Sequence, residues 1–219
     1  MTTVAEITLV ASPDAWRSAG FTVDDDGVVW LGDIALRLVQ SMDGASGITG
    51  WVLVDAPEPH GVDIDGLPTS HVASPGDLPV APTPAVGHAN TVTTIDHIVV
   101  YTPDVERTCG AITAATGAPL KRIREVGSLR QGFHRMGAFI VEVVSFPGVT
   151  SELAEFWGLA FNVADIDAAY ALCGDDAMSV PKDAVQPGRR IASFREPVGL
   201  GTPVAVMTPH VSVRRDVST

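Results

Sequence analysis

Only two cysteines, Cys109 and Cys173, occur in 219 residues, and they form no CxxC pair. That excludes a disulfide framework and a thiolate metal centre. Both fall on apolar helical faces, so buried thiols are expected. No apolar run approaches the ~18 residues of a membrane helix. Met1-Thr2-Thr3-Val4-Ala5-Glu6 lacks the basic and apolar regions of a signal peptide. A cytoplasmic protein with no membrane partner is therefore expected. Basic residues are also scarce. Fourteen Lys and Arg against 26 Asp and Glu give a formal net charge of -12, which argues against a nucleic-acid partner. GxSxG, P-loop, GxGxxG and HExxH motifs are all missing.

What is present is a core and a repeat. Hydrophobic residues make up 46% and charged residues 18% of the chain, a globular composition. Residues 96–104, Asp-His-Ile-Val-Val-Tyr-Thr-Pro-Asp, share a layout with 157–165, Trp-Gly-Leu-Ala-Phe-Asn-Val-Ala-Asp. Residues 137–144 correspond in the same way to 201–207. Repetition of this kind is an architectural statement. In the first copy the paired positions hold His97 and Glu142; in the second they hold Gly158 and Ala205. Residues 6–14 and 32–39 look like a third, shortened copy, with Ile7 and Arg37 aligned to His97 and Glu142. A fourth, very degenerate copy is expected to begin at Gly50, with no convincing helix after it.

Within each copy the order reads β-α-β-β-β. Residues 95–101 alternate weakly and are rich in β-branched side chains, as suits a buried strand. Pro103-Asp104 opens a helix that carries Val105, Cys109 and Ile112 at helical spacing, and Gly117 stops it. Strands are expected at 120–126, 130–136 and 138–146. In the second copy, 159–163 is a strand, Asp165 opens a helix, and strands follow at 178–180, 189–195 and 203–207. The organisation expected is a degenerate module or modules over 1–55, a connection over 56–94, a module over 95–147, a connector over 148–156, a module over 157–210, and a tail over 211–219. A short helical turn is expected at Ser151–Phe156. The segment 56–94 holds seven prolines between Pro57 and Pro84 and no aromatic residue. A flexible linker and an ordered strap are equally compatible with it, and Leu67, Val72 and Leu78 could form an edge strand.

These features resemble the vicinal oxygen chelate superfamily, which includes glyoxalase I, bleomycin-resistance proteins, methylmalonyl-CoA epimerase and extradiol dioxygenases. The resemblance rests on Asp96-His97-Ile98-Val99-Val100 with Pro103-Asp104, on Gly137–Val144 with Glu142, and on the repetition over 157–207. It implies an α+β fold of paired βαβββ modules whose curled mixed sheets enclose a cleft. In metal-dependent members it implies a divalent metal held from the first and last strands of each module. His97 and Glu142 take two of those four places, while Gly158 and Ala205 cannot ligate through a side chain. His134 is the nearest further candidate. The sequence names no cofactor.

Without a metal, alternation places Ile140 and Val144 beside Glu142, and Pro203 and Met207 beside Ala205. The result is a largely apolar pocket with one carboxylate, which could shuttle a proton. Arg135 and Arg195, on equivalent strands, could clamp a ligand carboxylate. Arg122 and Arg124 share a strand face that Ile123 would turn outward. Trp16, Trp30, Trp51, Trp157 and Phe161 read as packing. The candidate site is thus Glu142 as catalytic group, with His97, Arg135, Arg195 and Met207 as ligand contacts. The function expected is binding of a small anionic or aromatic molecule by a lyase, isomerase or dioxygenase. The alternative is a sequestering protein without turnover, and the repeat also allows a homodimer.

Overall fold

The computed structural model describes residues 1–41, 44–57, 63–72, 78 and 80–210. The tail at 211–219 and Pro57's neighbours 58–62 lie outside it. The elements run β1 (Thr3–Val10), α1 (Pro13–Ser18), β2 (Val28–Leu31), β3 (Ile34–Val39), β4 (Gly47–Val54), β5 (Thr69–Val72), β6 (Val92–Tyr101), α2 (Val105–Thr116), β7 (Leu120–Val126), β8 (Leu129–Met136), β9 (Phe139–Ser145), β10 (Glu155–Val163), α3 (Ile166–Cys173), β11 (Lys182–Asp183), β12 (Arg190–Ser193) and β13 (Val204–Met207). Asp104 and Asp165 cap α2 and α3, their carboxylates accepting backbone N–H groups of the first turn.

Two mixed sheets result. The larger has the order β11-β12-β13-β10-β6-β9-β8-β7, and the smaller β2-β3-β1-β4-β5. Each has an antiparallel central pair, β6 with β10 and β1 with β4, flanked on both sides by a parallel strand. The smaller sheet is therefore the same design cut short: β4 and β5 form a half-module with no helix among the described residues between them. Ile7, Leu9, Leu36, Leu53, Ile98, Val141, Phe161 and Val206 belong to one buried cluster that spans both sheets. Phe161 meets Trp16 and Phe21, so aromatic contacts of the smaller half seat the larger one. Trp16 and Trp51 are fully buried, whereas Trp157 is 41% exposed and stacks on Tyr101.

Three local expectations need correction. No helical turn occupies Ser151–Phe156; the chain is irregular there and β10 begins at Glu155. Position 7 is not the counterpart of His97. Register pairs Thr8 with Arg37 in the smaller sheet and Val99 with Glu142 in the larger, so Glu6 takes the His97 place and Ile7 faces the core. Glu6 and Arg37 close that place with a two-pronged ion pair at 2.8 and 3.0 Å. Cys109 is buried, while Cys173 is only half-buried at the end of α3.

The described part of 80–91 is a strap. Ala81 and Val86 cover Val28, Trp30 and Ala35 on the smaller sheet. His88 fastens it: Thr22 N–H donates to Nδ1 and Nε2 donates to the Trp30 carbonyl, each at 3.0 Å. Both nitrogens are used by the neutral ring, so a second proton has no acceptor. Residues 69–72 form an edge strand, pairing with β4.

Burial lowers the pKa of His88, and likewise of His134, from the ordinary 6.5. Both therefore protonate more readily in the unfolded chain, and their stabilisation is complete above that value and lost as pH falls below it. Urea melts should show a lower midpoint at pH 5.5 than at pH 7.5. His88→Gln should reduce that difference, and an unchanged difference would show that His88 does not set it.

Candidate functional site

Strand β6 is irregular where Asp96 and His97 lie. Ile95 pairs with Phe161 and His97 with Ala160, leaving Asp96 as an extra residue. Such a bulge puts two consecutive side chains on the same side of a sheet. Asp96 can therefore reach its own neighbour, and His97 Nδ1 lies 2.8 Å from Asp96 Oδ2. An ionised carboxylate only accepts, so Nδ1 carries the hydrogen. Nε2 is left facing Glu142 Oε2 at 3.5 Å, too far for a well-formed hydrogen bond. Gln131 Nε2 donates to the other oxygen, Oε1, and fixes the Glu142 carboxylate from the adjacent β8. Both His97 and Glu142 side chains retain 16% exposure, so both are open to a small molecule.

Arg189 anchors this arrangement from the second module. Its side chain is 4% exposed, and Nη2 donates to Asp96 Oδ1 at 2.9 Å. The same guanidinium donates to Asn162 Oδ1 at 3.1 Å, the Thr208 carbonyl at 2.6 Å and Gln186 Oε1 at 2.7 Å. Burial pushes the Asp96 carboxyl up, but hydrogen bonds from His97 and Arg189 outweigh it and bring it down to about 2. Asp96 is a carboxylate at any ordinary pH.

The cavity beside His97 and Glu142 measures about 330 Å³ and is also lined by Ile140, Phe133, Arg135, Arg122, Lys121 and Gln186. That lies at the lower end of the ~300–1,000 Å³ typical of small-molecule sites. His97, Glu142 and Arg135 from the sequence set thus share one cavity. Arg195 and Met207 do not line it. Arg195 donates Nε to the Asp175 carbonyl and lines a wider cleft of about 790 Å³ with Ser12, Gln40 and Glu196. Met207 is buried on β13 opposite Asn162. The repeat suggested equivalence for these two, but the second module's last strands are short and irregular.

Arg122 is a further correction. Its strand is the sheet edge, Ile123 is itself 37% exposed, and Arg122 is drawn over the Phe133 ring, 4.7 Å from its centroid. The face that looked outward is the cavity face. His134 is fully buried, with Nδ1 at the Ala118 carbonyl, on the face opposite Phe133. It belongs to the wall of the same cavity as His97, with its imidazole tied to Ala118. Sequence reasoning missed Asp96, Gln131 and Arg189. Asp96 adjoins His97 and carried a signal, whereas Arg189 lies 93 residues away from its partner.

The donor set for a divalent metal is incomplete. Register places Gly158 and Ala205 where the second module would supply ligands, and a Cβ on Gly158 would meet the Pro203 carbonyl at 2.8 Å. Among the described residues no group of three His, Cys, Asp or Glu is arranged to hold a metal ion, and the Arg189 guanidinium adds positive charge beside Asp96. Two protein ligands fall short of the three that zinc normally requires. The residues present do not fit such an ion.

No family model and no curated protein matches the sequence. Among solved structures, a substituted 4-hydroxymandelate synthase from Streptomyces coelicolor superposes over 95% of this chain and 93% of its own, with a TM-score of 0.64 at 16% identity. The chain shares the fold of that synthase. Methylmalonyl-CoA epimerases from Streptomyces coelicolor and Mycobacterium tuberculosis cover 55% of this chain at 19% and 15% identity, with TM-scores of 0.46 and 0.44. Among the described residues, no helix is long and apolar enough to cross a membrane. On this fold His97 and Glu142 occupy the first and last strands of one module only, and Arg189 fills the side facing the other.

Removing one member of a buried ion pair leaves an uncompensated charge. Arg189→Leu should cost about 3–5 kcal/mol in guanidinium melts. Asp96→Asn combined with Arg189→Leu should recover most of that loss. A single variant as stable as the parent would show that the pair does not hold the modules together.

Proposed function

We propose that the cleft binds a small anionic or aromatic molecule and that His97 and Glu142 move a proton on it. This is the chemistry of an isomerase or lyase. The observation that carries the reading is the open 3.5 Å gap between His97 Nε2 and Glu142 Oε2, each held from behind, by Asp96 and Gln131. Two groups able to exchange a proton stand side by side with their free atoms toward a cavity, the arrangement general acid–base catalysis requires. In the step envisaged, a substrate C–H bond breaks, its proton passes to neutral His97 Nε2, and the electron pair moves into an adjacent carbonyl. Asp96 stabilises the imidazolium so formed, as a buried carboxylate behind a histidine does. The proton returns from His97, or through Glu142, to carbon or to the carbonyl oxygen.

A dioxygenase reaction finds no support in the donor set. A sequestering protein without turnover is the second reading, favoured by the blank positions Gly158 and Ala205. Two unpaired cysteines suit cytoplasmic residence.

The test is deuterium uptake from D2O into a panel of 2-oxo and 2-acyl carboxylic acids, followed by mass spectrometry. Exchange by the wild type should fall by about 10²–10⁴-fold in His97→Gln and in Glu142→Gln. Equal exchange in these variants would remove both residues from the chemistry. Binding without exchange across the panel would favour sequestration.

A further inference from the structure

The chain has 14 Lys and Arg, and six of them are committed to ion pairs. Arg17, Arg37, Arg107, Arg130, Arg189 and Arg190 each meet a carboxylate. Lys121, Arg122 and Arg135 have no ion-pair partner among the described residues, although the chain carries 26 acidic side chains. All three line the cavity that holds His97 and Glu142, and all three are exposed. In a protein of net charge -12, three cations without an ion-pair partner, at the end of the cavity away from the Glu142 and Asp96 carboxylates, mark a place for an anion.

Sheet register adds a length. Glu142 on β9 pairs with Phe133 on β8, and Phe133 with Arg122 on β7. His97 on β6 pairs with Ile140 on β9, and Ile140 with Arg135 on β8. Two adjacent rows therefore cross the sheet in the same order: a proton-transfer group, an apolar side chain, then an arginine. Neighbouring strands are about 4.8 Å apart, so each row spans about 10 Å of backbone. The middle positions, Phe133 and Ile140, offer an aromatic face and a branched aliphatic one. The stacking of Arg122 over Phe133 holds its guanidinium on that row.

We propose that Arg122 and Arg135, with Lys121, form a carboxylate subsite, and that the ligand is an organic acid with a ring-sized apolar segment between its carboxylate and the end that meets His97 and Glu142. The proposal rests on the small-molecule cavity of the preceding reading, and adds the anchor and the spacing. A guanidinium fork matches a carboxylate in two parallel hydrogen bonds, while a neutral amide of the same shape lacks the charge that makes those bonds strong. The apolar middle excludes short acids such as acetate from filling both ends.

Isothermal titration at low ionic strength tests this with benzoate, phenylacetate and 3-phenylpropanoate, their amides, acetate and inorganic phosphate as probes. At least one aryl acid should bind about tenfold or more tightly than its amide and than acetate. That preference should survive in Lys182→Gln, which removes an exposed cation outside the cavity, and vanish in the double variant Arg122→Gln, Arg135→Gln. Circular dichroism on the double variant separates lost binding from lost folding, since both side chains are exposed. Acids and amides binding alike, no aryl acid binding, phosphate binding where no carboxylate does, or a preference that persists in the folded double variant would each overturn the proposal. Glu142→Gln keeps the two readings apart. Acid preference retained there, with deuterium exchange lost, supports both. Acid preference in a wild type that exchanges no deuterium upholds the subsite and sinks the proton transfer.

Discussion

The antiparallel pairing of β6 with β10 is the constraint on which the rest depends. Every strand of the larger sheet is added outward from it, β9-β8-β7 on one side and β13-β12-β11 on the other. The pairing is also where register breaks, at Thr93 and Asp96 on one strand and at Trp157 on the other. Asp96 and Trp157 correspond in the repeat, so the irregularity belongs to the module and not to one copy. On β6 it turns Asp96 to the same side as His97; on β10 it turns out Trp157, which stacks on Tyr101 at 4.7 Å. One backbone device thus serves a polar site in one module and an aromatic contact in the other.

Three copies of the module place different side chains at matching positions, and the differences have physical reasons. In the smaller sheet, Glu6 and Arg37 satisfy one another. In the second module of the larger sheet, Gly158 lies against the Pro203 carbonyl and has no room for a side chain. Only His97 and Glu142 remain both polar and facing an open cavity. Arg189 then supplies from the second module what the site lacks in charge balance, neutralising Asp96 so that an ionised carboxylate can be buried behind an imidazole.

The fold was legible because the βαβββ order repeats and its helices are capped by Asp104 and Asp165 at equivalent points. His97 and Glu142 were legible as a pair for the same reason, and the structure sets them 3.5 Å apart. What was hidden depends on register. A bulge leaves no trace in an alternating pattern, so neither the use of Asp96 nor the one-residue slip between Ile7 and Glu6 could be read off. The orientation of Arg122 was inferred from Ile123, on the assumption that the apolar residue marks the buried side. On an edge strand both faces are wet, and the assumption fails. Contacts made by Arg189 join segments far apart in sequence, and only topology brings them together.

The strap over the smaller sheet has a bearing on binding stoichiometry. A chain assembled from two versions of one design would be expected to offer two equivalent sites, and with them the prospect of cooperativity. Here Ala81 and Val86 lie on the face of the smaller sheet, and Glu6 is already matched by Arg37. In the smaller half the position matching His97 is closed by an ion pair and the sheet face is covered, so that half packs against the larger one without presenting the same open polar pair.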